Sequence, residues 1–232
     1  MQDQIDEALI LGPLKRDFKE FAQFCEKEYK KVSPIPFIED SELSEDLCAY
    51  YHKGQNKIYY KKISGSKMDA HLIAHEIMHG VRAKENNLLT IRYFRREHER
   101  LAMAINSLLE DQTVDSILQR KYGFDLLPLY IWSIEFTETH VNNISLSPLG
   151  QVYSGIRFAN TMLRWDLIKD KDASKRWKEH LTWSRTQSLD VHKIAKDVAG
   201  IVRSLKLEPI TQHKKIVATL INRYELQNVL SV

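Results

Sequence analysis

Two imidazoles and a carboxylate stand within five residues of one another at His75-Glu76-Ile77-Met78-His79, and their types and spacing suit one kind of chemistry. On a helix, residues four apart share a face, so His75 and His79 can offer two nitrogens to a single ion. Glu76 points about 100° round from His75 and about 60° from His79. That brings its carboxylate within reach of a water held at the ion without making it a ligand. With zinc as the ion, one per chain, the trio suits hydrolysis with Glu76 as general base.

Such a trio needs a helix with two different faces. At 100° per residue, Ile73, Ile77, Val81, Ala74 and Met78 form one apolar stripe, while His71, His75, His79 and Glu76 take the other side. Ser66-Lys67-Met68-Asp69 fits a capping box that starts this helix about two turns before His75. His71 lies one turn before His75 and outside the five-residue motif, as a residue behind the ligands or at the surface.

Composition sets the surroundings. The 232 residues can bury one large core or two lobes that share a cleft. Only 8 Gly and 6 Pro predict mostly regular structure, chiefly helix. A net charge of +3 with His neutral does not argue for nucleic acid or a membrane surface as a partner. Cys25 and Cys48 form neither a disulfide framework nor a metal or redox pair, which suits a reducing compartment. The N-terminus has no secretory pattern, and the longest apolar run, Leu126 to Trp132, contains Pro128 and is too short for a span. The expectation is a cytoplasmic protein.

Along the chain, Leu14, Phe18, Phe21, Cys25 and Tyr29 recur at helical spacing after Gly12-Pro13. Pro34 and Pro36 suggest that Ile35 to Glu39 is an edge strand. Leu47 to Tyr51 and Lys57 to Lys61 are rich in strand formers and read as a β-hairpin across Lys53-Gly54-Gln55-Asn56. After a polar loop at Lys84 to Asn87, a second long helix should run from about Thr90 to Gln119. Its opening, Arg92 to Arg100, mixes basic and aromatic residues with Glu97 and Glu99 and reads as a solvated end laced with ion pairs. Further on, apolar residues occur on nearly every side around adjacent Glu110 and Asp111, and carboxylates in buried surroundings call for a partner such as a metal.

A hairpin leading into a capped helix with this motif resembles the N-terminal half of the zincin fold, over roughly residues 35 to 120. The later acids make the pattern similar to the gluzincin clan of zinc metallopeptidases, in which an acidic ligand from a following helix joins the two histidines. Asn106-x-x-x-Glu110-Asp111 followed by Asp115 resembles small single-module metallopeptidases of this kind. No third histidine follows at metzincin spacing. For the third ligand the resemblance supports Glu110, the clan's usual residue type, while the clan's acid-x-x-x-Asp pattern, matched here only by Asp111 and Asp115, supports Asp111 as the alternative. With Glu110 as ligand, Asp111 and Asp115 are outer acceptors for imidazole N–H groups, and with Asp111 as ligand Asp115 keeps that role. The resemblance also implies that peptide or protein substrate pairs with an edge strand, assigned to Lys57–Lys61 with Ile58, Tyr59 and Tyr60 at its centre. His140, Tyr153 and Arg157 are candidates, by residue type alone, for stabilising an oxyanion.

Beyond Lys121-Tyr122-Gly123 three helical stripes follow: Val152 to Leu167, Val191 to Leu205 and Ile216 to Tyr224. His180, His192 and His213 sit among charged residues and read as surface. The expected architecture is α+β and mostly helical: a zincin-like lobe over 1–122 with a small antiparallel or mixed sheet, then a helical lobe over 123–232. The leading expectation is a zinc-dependent metallopeptidase, an endopeptidase since no motif grips a free terminus. Its rivals are a regulatory metal-binding module that acts on one partner protein and a non-catalytic helical module braced by a structural metal.

Overall fold

The computed structural model describes residues 4–5, 7–43, 48–140, 147–168, 170, 173–205 and 210–232, the side chains at 4, 5, 136 and 140 excepted. The chain forms two compact units, Met1–Leu88 with Val114–Leu126, and Leu89–Thr113 with Leu127–Val232. It is mostly helical with a small mixed sheet, an α+β composition.

The first unit begins with β1 (Gln4–Ile5), α1 (Glu7–Asp17) and α2 (Lys19–Lys27). One helix was expected here from Leu14 to Tyr29. Instead Phe18, with extended backbone, separates two, and Pro13 lies inside α1. Leu14, Phe21, Phe24, Cys25 and Tyr29 are all buried, so the apolar spacing is a core face despite the break.

β2 (Phe37–Glu39), β3 (Ala49–His52) and β4 (Lys57–Tyr60) join β1 in the order β1-β2-β4-β3. β3 and β4 form the expected antiparallel hairpin, with Tyr50 opposite Tyr59 and their rings stacked 5.0 Å apart. Two expectations about edges fail. β2 is an inner strand because Pro34 and Pro36 precede it, leaving its own N–H groups free to join the ladder between β1 and parallel β4. β4 is inner as well, with Ile58, Tyr59 and Tyr60 all buried, so its backbone is taken up on both sides. Among the described residues the edge beside β4 is β3.

The motif lies on α3 (Lys67–Lys84). Its start is the expected capping box: Ser66 Oγ accepts from the Asp69 N–H at 3.1 Å, and Asp69 Oδ2 accepts from the Ser66 N–H at 2.8 Å. Ile73, Ala74, Ile77, Met78 and Val81 enter a core with Phe21, Phe24, Phe37 and Ile58.

The second long helix starts later than expected. Arg92–Tyr93 is a strand, β5, and α4 runs Glu99–Ile117 into a π turn at Leu118–Tyr122, closed by Gly123 at φ 79. Val114 and Leu118 pack in the first unit's core, whereas Leu101, Ile105, Leu108 and Leu109 belong to the second's. This division of one helix between two cores is why the boundary expected between residues 122 and 123 is not where the chain divides. The π turn is tied to α2 by Glu28. Burial pushes the Glu28 carboxyl up, but hydrogen bonds from Lys121, Lys31 and Tyr122 outweigh this and bring it down to about 2.

The second unit continues with α5 (Leu127–His140), α6 (Pro148–Ile168), α7 (Ser174–Gln187), α8 (Leu189–Leu205), α9 (Ile210–Arg223) and β6 (Leu230–Ser231), the last antiparallel to β5. The three expected stripes lie on α6, α8 and α9 and meet in one core. Among the described residues no helix is long and apolar enough to cross a membrane.

Gly155 sets how closely α6 approaches α8. A Cβ there would stand 2.3 Å from Ile194 Cγ2 and 2.8 Å from Ile194 Cβ. Gly155→Ala gains up to about 1 kcal/mol of helix propensity but overpacks the contact at a cost of about 1–3 kcal/mol. The Ile194 Cβ is fixed to its backbone and cannot rotate away, so the steric cost should win. A lower urea midpoint than wild type, at unchanged slope, is the expected result.

His180, His192 and His213 are not surface residues. They are 1%, 3% and 0% exposed. Each is buried because a polar neighbour meets it: Glu138 at His180 Nδ1 (2.9 Å), Ser184 at His192 Nδ1 (3.0 Å) and Glu110 at His213 Nδ1 (3.1 Å).

Candidate metal centre

Two turns of α3 present the motif histidines as the spacing predicts. His75 Nε2 and His79 Nε2 lie 3.1 Å apart. Two nitrogens that share a tetrahedral zinc at ordinary bond lengths are about 3.3 Å apart, so the pair is set for a common ion.

Behind His75 stands Asp115, from the part of α4 that belongs to the first unit. His75 Nδ1 is 2.8 Å from Asp115 Oδ1, and His71 Nε2 is 3.3 Å from the same oxygen. A carboxylate oxygen accepts, so His75 carries its proton on Nδ1, and in the neutral ring Nε2 keeps its lone pair for the ion. Asp115 is only 1% exposed and His71 2%, which removes the surface alternative for His71. His71, His75 and Asp115 are themselves close enough to form a metal-ligating group.

Glu76 is held from the sheet. Its Oε2 accepts from the backbone N–H of Tyr51 in β3 at 2.7 Å. The strand can come this near because residue 80 is glycine: a Cβ there would meet Ile35 Cδ1 at 3.1 Å and Tyr51 Cε2 at 3.3 Å. A cavity of about 350 Å³, lined by Tyr51, Asn56, Gly80 and Ala83 among others, opens over the same stretch of α3.

The remaining candidates lie in the second unit. Glu110 Oε1 faces His213 Nδ1, itself fully buried. Asp111 Oδ2 accepts from Ser107 Oγ and lies 3.4 Å from Arg164 Nη2. Tyr153 and Arg157 are neighbours on α6, Oη to Nη1 3.4 Å, and the His140 side chain lies outside the described residues. Ile58, Tyr59 and Tyr60 do not lie on an edge strand as expected, because β4 is inner and these side chains are buried.

Comparison with protein-family models, curated proteins and solved structures gives no match.

The contact that orients Glu76 has no sequence signal, since its donor is a backbone N–H. That of His71 does have one: its four-residue step from His75 repeats the step from His75 to His79.

Proposed function

We propose that the chain is a zinc-dependent peptidase with His75 and His79 as metal ligands and Glu76 as general base. The observation that carries this reading is the converging pair of Nε2 atoms, 3.1 Å apart, with the opposite nitrogen of His75 bonded to a buried carboxylate. Metal-ligating histidines characteristically donate their second N–H in this way. Zinc bound there would supply Lewis acidity to a peptide carbonyl and acidify a water. Glu76, fixed by Tyr51, takes a proton from water and returns it to the leaving nitrogen as the C–N bond breaks.

As third ligand Asp111 is favoured over Glu110. Asp115 marks the side of α4 that serves His75, and Asp111 lies about 40° from it round the helix, whereas Glu110 lies about 140° away. The Glu110 carboxylate is also engaged by His213. Asp115 keeps the outer role.

Metal analysis tests the whole reading. Protein purified without added metal should carry about one zinc per chain, as a single tetrahedral site requires. Asp111→Ala should then lose zinc as a ligand variant does, and Glu110→Ala should not. No zinc in the wild type refutes the metal assignment; the reverse order of the two variants restores Glu110.

A further inference from the structure

We propose that His71 is a positioning residue of this centre: His71 Nε2 and His75 Nδ1 grip one oxygen of Asp115, so that Asp115 is held where it fixes the His75 imidazole. The inference rests on the reading of His75 as a metal ligand. His71 and His75 are one turn apart on α3, with rings 6.3 Å apart and within 27° of parallel, and both reach Asp115 Oδ1, at 3.3 and 2.8 Å. A second donor from the adjacent turn of the same helix restricts rotation of the carboxylate about its last bond, and the Nδ1–H of His75 takes its direction from the oxygen so held.

The other side of His71 shows which of its atoms matters. Its Nδ1 is buried with no hydrogen-bond partner, and the ring packs at 69° to the Phe124 ring, centroids 5.8 Å apart. An apolar side chain would fill this space without stranding a nitrogen. What the imidazole adds there is the Nε2–H donor to Asp115. The functional pattern on α3 is therefore longer than five residues, with a clamp at 71, ligands at 75 and 79, and the base at 76.

Zinc dissociation constants of the full chain, measured by competition with a chelating dye, test this without recourse to activity. His71→Met should weaken zinc binding about 10–100-fold, as loss of an outer partner does. His71→Gln places an amide N–H where Nε2–H was and should stay within about twofold of wild type. His71→Asn, whose amide stops short at the Nδ1 position, should behave like His71→Met and replaces it if that variant does not fold. In an Asp115→Asn background His71→Met should cost no more than about twofold further. Equal affinities for wild type and His71→Met, an equal loss in His71→Gln, or a full loss persisting without the Asp115 carboxylate would each overturn the clamp while leaving the metal site standing. Wild-type protein that binds no zinc overturns both.

Discussion

Glu76→Gln should leave zinc bound and lower peptide cleavage by roughly 10²–10⁴-fold, the usual contribution of a general base. The amide has the size of the carboxylate, and its oxygen can still accept from the Tyr51 N–H that holds Glu76 Oε2 at 2.7 Å. Position is thus kept and only the capacity to take a proton is lost. The comparison is made at matched zinc content, with a protein substrate unfolded beforehand so that access is not limiting. Cleavage rates comparable to wild type would remove Glu76 from the mechanism as its general base.

His79→Ala should act one step earlier, on the ion itself. His79 supplies one of the two Nε2 atoms that converge, so its removal should reduce zinc affinity by more than the roughly 10–100-fold typical of an outer partner. Dialysis followed by metal analysis reads this directly, and activity should fall in proportion to zinc content. If His79→Ala retains its zinc while His71→Met loses it, the ion belongs instead to the group formed by His71, His75 and Asp115.

The parts of this site that could be read from the sequence are those fixed by local geometry. Ser66 and Asp69 cap α3 because a capping box involves residues three apart, and His75 and His79 converge because they are one turn apart. Asp115 behind a histidine is not a matter of local geometry: it is expected only from the resemblance to the gluzincin pattern, in which an acid four residues after the acidic ligand meets a ligating histidine. The errors concern non-local pairing. Both strands of the hairpin are rich in tyrosine, so nothing local tells which one a third strand will join; β2 pairs with β4, and the edge passes to β3. His213 looked exposed between Gln212 and Lys214, but its partner Glu110 is distant in sequence. The division of the chain was missed for the same reason, because α4 is one uninterrupted helix whose two ends enter different cores.

The bond between Tyr51 and Glu76 also bears on how the sheet ends. An edge strand exposes backbone donors and acceptors to which another chain can add, and proteins commonly block such edges with charge. On β3 the carboxylate of Glu76 occupies one of those donors from within the same unit. The side chain assigned to proton transfer therefore doubles as an edge guard. Truncation to alanine, unlike replacement by glutamine, would uncover a strand edge as well as remove a base, so self-association through β3 becomes a cost of losing this one residue.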